Sequence, residues 1–261
     1  MTTEKPDGLE ANEQSFLSHL IELRSRLMRA VLGVLGVLLV LMPVSNSLYE
    51  WLSRPLMKQM AEIGAQMIAT EVASPFLAPF KLTCFVAIAI CAPYIFFQLW
   101  SFIAPGLYRH EKKLALPLLI SSTLLFYCGI AFAYFAVFPL VFGFLTSAAP
   151  DGVTVMTDIS KYLDFVIVMF FAFGAAFEVP VATYLLVRTG ISTREGLAEK
   201  RPYVIVGSFV VAAILTPPDV ISQTMMAIPI WLLYEIGMLF CRILIPVEAA
   251  DEDSTKALTP R

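Results

Sequence analysis

Long, almost uncharged segments alternate with short charged turns along most of this chain. After a polar stretch at residues 1–14, apolar side chains at Phe16, Leu20, Leu23 and Leu27 recur at helical spacing and lead into the first uncharged segment. A helix of about 20 apolar residues is long enough to cross the ~30 Å hydrocarbon core of a bilayer. The pattern therefore predicts a helical membrane protein whose first helix is amphipathic before it becomes fully apolar.

Six segments are predicted to span the membrane. They cover residues 30–49, 82–107, 114–137, 165–187, 203–216 and 220–241. The fifth holds only 14 residues between Pro202 and Pro217. That is about 21 Å of helix, which is short for a bilayer. We expect spans 5 and 6 to be short and to thin the bilayer around them.

Two connections are long enough to need structure of their own. Residues 50–80 are predicted to form a loop outside the membrane, with a short helix at 48–63 that is kinked at Pro55. The uncharged run at 114–150 has 37 residues, which is too long for one span and too short for two. The prediction places an interfacial helix and loop at residues 139–150.

Composition and charge agree with a protein that crosses the membrane several times. Hydrophobic residues make up 58% of the chain and charged residues only 15%, whereas soluble domains carry more charge. Of the 18 Lys and Arg residues, 14 lie on the same predicted side as the N-terminus. The other four are Arg54, Lys58, Lys81 and Lys161. Because positive charge marks the cytoplasmic side, both termini are predicted to be cytoplasmic.

The predicted organisation is one membrane domain with two tails. Residues 1–14 are interpreted as a disordered cytoplasmic tail, residues 15–245 as a single six-helix membrane domain, and residues 246–261 as a second cytoplasmic tail. The first 15 residues lack the apolar core of a signal peptide. The first span is therefore expected to act as its own targeting signal.

Several kinds of chemistry have no sequence support. The four cysteines fall inside apolar runs, and the two histidines, His19 and His110, fall at predicted membrane surfaces. His110-Glu-Lys-Lys-Leu114 lacks the second histidine of a zinc-binding motif, and the chain has no phosphate-binding glycine loop. We expect no enzymatic activity and no cofactor, so a scaffold, a receptor or a transporter remains.

One carboxylate, Glu178, lies inside the uncharged run from Phe165 to Val187. At about 1.5 Å of helix per residue it would stand about 21 Å from Asp164 and about 15 Å from Arg188, close to the middle of the bilayer. Pro180, two residues later, is predicted to interrupt the helix near the same place. A carboxylate there costs ~2.5–3.5 kcal/mol, so it should face protein, water or a partner. A hydrogen-bonded buried Glu, a proton relay and a partner contact all stay open. The other intramembrane acid, Glu235, is predicted to lie near the cytoplasmic surface, facing basic side chains.

Two further carboxylates lie among basic residues on the predicted cytoplasmic side. Glu22 belongs to His19-Leu-Ile-Glu-Leu-Arg24, and Glu111 to Tyr108-Arg-His-Glu-Lys-Lys113. Both fit ordinary surface charge, with Glu22 paired to Arg26 one helical turn later. They equally fit a site for two arginines of a ligand, because the guanidinium fork matches a carboxylate.

Six short motifs occur in order along the chain. They are His19-Leu-Ile-Glu-Leu-Arg24, Ala73-Ser-Pro-Phe76, Ser101-Phe-Ile-Ala-Pro-Gly-Leu-Tyr-Arg-His-Glu111, Phe173-Gly-Ala-Ala-Phe-Glu-Val-Pro180, Lys200-Arg-Pro-Tyr203 and Leu215-Thr-Pro-Pro-Asp-Val220. Together they resemble the TatC family, the six-span subunit of the bacterial twin-arginine protein translocase. The resemblance covers residues 15–242 and implies an all-α, cupped six-helix bundle in the bacterial cytoplasmic (inner) membrane.

The resemblance also implies a function and a set of partners. The protein would be a receptor and scaffold that binds twin-arginine signal peptides, for export of folded cargo driven by the proton motive force. The implied partners are the single-span subunits TatB and TatA, further copies of the chain in a multimeric receptor complex, and the lipid bilayer. No nucleic-acid partner is expected. The alternative function is a proton-coupled small-molecule transporter that uses Glu178.

Residue by residue, the resemblance implies three groups of functional positions. The signal-peptide site would comprise Glu22, Arg24, Gln98, Phe102 and Glu111. The intramembrane polar contacts would be Glu178, Thr216 and Gln223. The cap and turn on the opposite side of the membrane would include Pro55, Phe76 and Asp219.

Overall fold

The fold is an all-α bundle with one very small sheet. The computed structural model describes residues 8–62, 66–103, 115–147, 156–216 and 220–244. The helices are α1 (Gly8–Leu41), α2 (Ser45–Glu62), α3 (Ser74–Ile103), α4 (Ala115–Phe132), α5 (Phe138–Ser147), α6 (Ile159–Ala176), α7 (Val179–Arg188), α8 (Arg194–Glu199), α9 (Arg201–Leu215) and α10 (Val220–Leu244). The strands are β1 (Gln66–Ile68) and β2 (Met156–Asp158), which pair in parallel.

Six helical segments account for the predicted spans. Within the described residues, five are long and apolar enough to cross a bilayer: His19–Arg54, Ser74–Phe102, Leu116–Phe144, Ile159–Arg188 and Gln223–Leu244. The sixth, Arg201–Leu215, is shorter. The predicted all-α membrane fold is confirmed. We call the end of the bundle that holds the ends of α3, α7 and α10 the proximal end, and the end that holds the two strands the distal end.

The first span is longer than predicted at both ends. Helix α1 begins at Gly8, inside the segment predicted to be a disordered tail. It passes through one 3-10 turn at Met42–Val44 directly into α2, which continues to Glu62. Pro43 lies in the first turn of that 3-10 segment, where its missing N–H leaves no hydrogen bond unmade. The short helix predicted at 48–63 is therefore confirmed, and it is joined to the first span without an intervening loop.

The second and third spans also differ from the prediction. Helix α3 begins at Ser74, eight residues before the predicted start at 82. Pro75 does not prevent this early start, because a proline is tolerated in the first turn of a helix. In span 3, α4 continues through a π-helical segment, Ala133–Val137, into α5. The prediction of a separate interfacial helix in residues 139–150 is wrong, because α5 continues the third span. Pro139 occupies the first turn of α5, and the π segment adjusts the hydrogen-bond ladder ahead of it.

The last two spans differ from each other in length. Helix α9 has 15 residues, about 22 Å, which confirms the short fifth span. Helix α10 has 25 residues, about 37 Å, so span 6 is longer than predicted. It continues past Pro229, which lies inside the helix. Local bilayer thinning is therefore expected beside α9 alone.

Helix α6 lies at the centre of the packed core. Its side chains Leu163, Val166 and Phe173 are 0% exposed and recur at helical spacing along one face. Phe170 stacks on Phe85 of α3, with ring centroids 5.2 Å apart. In a bilayer such close packing, rather than the hydrophobic effect, holds helices together.

Asp158 organises the distal end. Its Oδ2 accepts hydrogen bonds from the N–H and the hydroxyl of Thr70, at 2.9 and 2.6 Å. Its Oδ1 accepts from the N–H groups of Ser160 and Lys161, at 2.9 and 3.1 Å, and so caps α6. These bonds, led by the one from the Thr70 hydroxyl, lower the pKa of Asp158 from 3.8 to about 2.

Replacing Asp158 by Asn is expected to weaken the distal end at neutral pH, because an amide has one acceptor oxygen and must give up one of these two pairs of bonds. Since the folded-state pKa lies below the ordinary value, the contribution of the carboxylate is present above pH ~4 and disappears as pH falls towards 2. Thermal unfolding in detergent between pH 7 and pH 2 measures it. The wild type should lose stability over that interval, and Asp158→Asn should lose less of it.

Glu71 supplies the matched control for this experiment. It lies exposed in the same distal segment, and its carboxylate is not one of the acceptors around Thr70. Glu71→Gln should therefore keep the pH dependence of the wild type. An identical acid limb in the wild type and in Asp158→Asn would contradict the assignment.

Candidate functional site: polar side chains at the proximal end and within the bundle

Helices α1 and α3 meet at the proximal end. The imidazole of His19 stacks on the ring of Phe102, with centroids 4.1 Å apart and planes inclined by 21°. The two helices are in contact along much of their length. Because they run in opposite directions, Glu22 and Gln98 each lie about one helical turn farther into the bundle from this stack. Three of the sequence-predicted site residues are thus brought to neighbouring helices.

Glu22 forms the predicted ion pair with Arg26. Nε and Nη2 of Arg26 both donate to Oε1 of Glu22, at 2.9 and 2.6 Å. The side chain of Glu22 stays 38% exposed, so its carboxylate can reach a ligand from the surface. Oε2 takes no part in the pair, and an exposed i,i+4 pair stabilises a helix by only about 0.3–0.5 kcal/mol. The pair therefore orients the side chain of Glu22 and leaves its Oε2 available to a ligand.

Gln98 is buried on α3, four residues before Phe102. Its side chain is 7% exposed, and within the described residues its Oε1 has no hydrogen-bond partner. A buried amide oxygen in this condition is costly unless a donor reaches it. Arg24 is exposed on α1. Glu111 lies outside the described residues, so its predicted place beside Glu22 stays a prediction.

Glu178 interrupts the fourth span. It lies in the turn between α6 and α7, at the position before α7 begins, with Pro180 in the first turn of that helix. It is half-buried, and its Oε1 and the Oγ of Ser122 on α4 are both buried without a hydrogen-bond partner among the described residues. The interruption of span 4 near Pro180 that the sequence predicts is confirmed, because α6 ends at Ala176 and α7 begins at Val179 with Pro180 in its first turn.

Thr216 follows the last residue of α9, and Gln223 lies in the first turn of α10. The Thr216 hydroxyl donates to the carbonyl of Ala212 at 2.9 Å, within α9. The Gln223 amide donates to the carbonyl of Phe209 at 3.0 Å and so ties α10 to α9. Asp219, between them in sequence, lies outside the described residues.

The remaining predicted positions are far from Glu22, Gln98 and Phe102. Phe76 lies in the first turn of α3 at the distal end and is 71% exposed. The backbone of Pro55 is part of α2, and its side chain lies outside the described part of the chain. The predicted residues therefore form separate groups at the two ends of the bundle and within it.

Glu235 has the surroundings that its place in the sequence predicted. Nε and Nη2 of Arg201 donate to its Oε1 and Oε2, at 2.9 and 3.0 Å, in a bidentate fork. The partner comes from α9, 34 residues earlier in the chain. Sequence analysis identified the basic surroundings but missed Arg201 and, within the bundle, Ser122. Among the described residues no group of three or more His, Cys, Asp or Glu side chains could hold a metal ion.

Comparison with known proteins decides the family. The family described as Sec-independent protein translocase protein (TatC) matches residues 18–229. The chain belongs to the TatC family. A Sec-independent protein translocase protein TatC from Azotobacter chroococcum is 56% identical over 238 residues, covering 91% of this chain and 92% of that protein. The TatC of Escherichia coli K12 is 56% identical over 229 residues, covering 88% of each chain.

Solved structures of the TatC family have the same fold. Two crystal structures of the twin-arginine translocase receptor TatC, one of them in a detergent, are 38% identical to this chain with TM-scores of 0.77 and 0.79. They cover 86% of this chain, which covers 98% and 99% of them. This is a multi-pass membrane protein of a protein translocase. The alternative of a small-molecule transporter around Glu178 finds no support in these relatives.

Proposed function

We propose that this chain is the twin-arginine signal-peptide receptor of its translocase, in the bacterial cytoplasmic membrane, and has no catalytic activity of its own. The observation that carries the proposal is the partly exposed carboxylate of Glu22, about one helical turn from the stack of His19 on Phe102. Only one of its oxygens is engaged by Arg26. A peptide guanidinium can bond the other oxygen with a charge-assisted hydrogen bond.

Two neighbouring features complete the proposed signal-peptide site. Gln98 offers a buried oxygen with no hydrogen-bond partner among the described residues, which suits a donor group of the peptide. Phe102 offers an aromatic face beside His19, which suits an arginine or an apolar residue. Arg24 and Glu111 belong to the proposed site through the family resemblance, with Glu111 as the carboxylate for the second arginine of the signal.

The partner surface is proposed on α9 and α10. Helix α9 is short and exposes Val206, Val210 and Ile214 at spacings of one turn. Such an exposed apolar face suits a single membrane helix packed against it, and TatB and TatA are the single-span partners that the resemblance implies. Thr216 and Gln223 would supply polar contacts at the distal end of this face, and Glu178 one within the bundle. Self-association and energy from the proton motive force complete the proposal.

Photo-cross-linking with probes at positions 23 and 102, which leave the carboxylates of Glu22 and Glu111 in place, tests the receptor assignment. A twin-arginine signal peptide is expected to cross-link at both positions, and a twin-lysine peptide about tenfold less, because Lys lacks the guanidinium fork. A probe at position 76 at the distal end is the control and should not react with the peptide. Equal yields for the two peptides would contradict the proposal. A second probe pair, at 206 and 210, should cross-link to the single-span subunits and not to the signal peptide.

A further inference from the structure

A basic cavity of about 460 Å³ lies at the proximal end, between α8, α9 and α10. Three arginines, Arg194, Arg201 and Arg242, line it together with two acids, Glu195 and Glu235. Because three positive charges face two negative ones, the lining carries one net positive charge. Arg201 and Glu235 already satisfy each other through their fork, so Arg194 and Arg242 supply the excess.

Arg194 is placed to bond a ligand. Its Nε and Nη2 are buried, and neither has a hydrogen-bond partner among the described residues. A buried guanidinium nitrogen without an acceptor is destabilising, and an oxyanion can accept hydrogen bonds from both of these nitrogens. Arg242 lies exposed in the last turn of α10, on the rim of the same cavity.

The cavity has rigid walls. The Tyr234 hydroxyl, on α10, donates to the carbonyl of Leu197 at 2.6 Å and so holds α8 against α10. The Thr193 hydroxyl caps α8 by accepting from the N–H of Gly196 at 3.0 Å. Helix α8 is therefore held near both of its ends, and Arg194 is its first residue.

An exposed apolar stripe begins at the edge of this cavity. Leu232, Ile236, Leu239 and Ile243 of α10 are 42–66% exposed and recur at spacings of four, three and four residues. Leu239 also lines the cavity. The stripe runs from the cavity along α10 towards the middle of the span. A charged cavity that borders an apolar stripe has the same arrangement of polar and apolar parts as a phospholipid, in which the head group is joined to hydrocarbon chains.

We propose that this cavity binds the phosphodiester head group of an anionic phospholipid, whose acyl chains lie along the stripe on α10. Basic pockets between membrane helices on the cytoplasmic side are suited to anionic head groups. The arginines would bind a free phosphate as well as a lipid head group. The apolar stripe favours a lipid, because only a lipid has acyl chains that can cover it. The lipid would stabilise the packing of α8 against α10.

Native mass spectrometry of the purified full-length protein with added phosphatidylglycerol tests this proposal. The wild type is expected to bind phosphatidylglycerol about tenfold more tightly than phosphatidylcholine. Arg194→Gln and, independently, Arg242→Gln should each lose about tenfold of that affinity, with an unchanged unfolding temperature in detergent without added lipid. Glu195→Gln, which removes a negative charge from the lining, should bind at least as tightly as the wild type.

Lys200→Gln is the matched control, because Lys200 is exposed at the same end of the bundle and does not line the cavity. It should bind phosphatidylglycerol like the wild type. No preference for the anionic lipid, or an equal loss in Lys200→Gln, would overturn the proposal. Displacement of the lipid by millimolar inorganic phosphate, or by an acidic peptide without acyl chains, would also overturn it in favour of that ligand.

Discussion

Replacing Glu22 by Gln is expected to weaken the binding of a twin-arginine signal peptide about tenfold or more. A hydrogen bond to a charged group contributes about 1.5–3 kcal/mol, and each 1.4 kcal/mol is tenfold in affinity. The substitution keeps the shape of the side chain and removes only its charge. The affinity of a labelled signal peptide for the purified receptor complex, or the yield of its cross-link to position 102, measures the effect.

Arg26 provides the comparison that separates recognition from helix stability. Arg26→Gln breaks the same ion pair as Glu22→Gln but leaves the carboxylate in place. If Glu22 recognises the peptide, Arg26→Gln should bind it as tightly as the wild type or more tightly, because Oε1 of Glu22 is released. If the pair only supports α1, the two variants should have the same small effect. Equal losses in both variants would therefore refute the recognition role.

Replacing Gly129 by Ala is expected to destabilise the bundle by about 1–3 kcal/mol, which is the usual cost of overpacking. A Cβ at Gly129 would lie 2.8 Å from the carbonyl carbon of Phe173 and 2.9 Å from the Cα of Gly174, and closer still to the Phe173 oxygen. These are backbone atoms of α6, so no side-chain rotation relieves the clash. The gain of about 1 kcal/mol in helix propensity from Gly to Ala offsets part of this cost, and because the clash is with backbone atoms we expect a cost towards the upper end of that range.

Gly207 provides the matched control for Gly129. It lies within α9, and a Cβ added there meets nothing within 4 Å. Gly207→Ala should therefore be neutral or slightly stabilising. Thermal unfolding of both variants in the same detergent measures the difference between them. An equal unfolding temperature for Gly129→Ala and Gly207→Ala would show that α4 and α6 do not approach each other as closely as the structure has them.

The predicted positions of the helices were right where charge and hydropathy alone decide them. The apolar runs identified the spans, and the shortness of α9 followed from Pro202 and Pro217. The ends of the helices were less predictable. Pro75 and Pro139 were predicted to lie outside the spans, but each stands in the first turn of a helix, where proline costs nothing. Whether a proline ends a helix or begins the next depends on the backbone around it.

The candidate site also combines local contacts, which the sequence predicts, with contacts that depend on how the helices pack. The pair of Glu22 and Arg26 is local, one helical turn apart, and was predictable from spacing. The stack of His19 on Phe102 joins residues more than 80 positions apart and depends on how α1 and α3 pack. No periodicity in the sequence carries that information, because many arrangements of the same helices satisfy the same pattern.

The sequence by itself determined that this protein is a six-span helical membrane protein of the TatC family, with carboxylates at Glu22 and Glu178. Only the tertiary structure decided the surroundings of those carboxylates. It showed that the turn between α6 and α7 brings Glu178 near Ser122 of α4, and that Arg201 neutralises Glu235. The physical reason is that hydropathy measures the environment of a segment, whereas hydrogen bonds and close packing depend on which helices become neighbours.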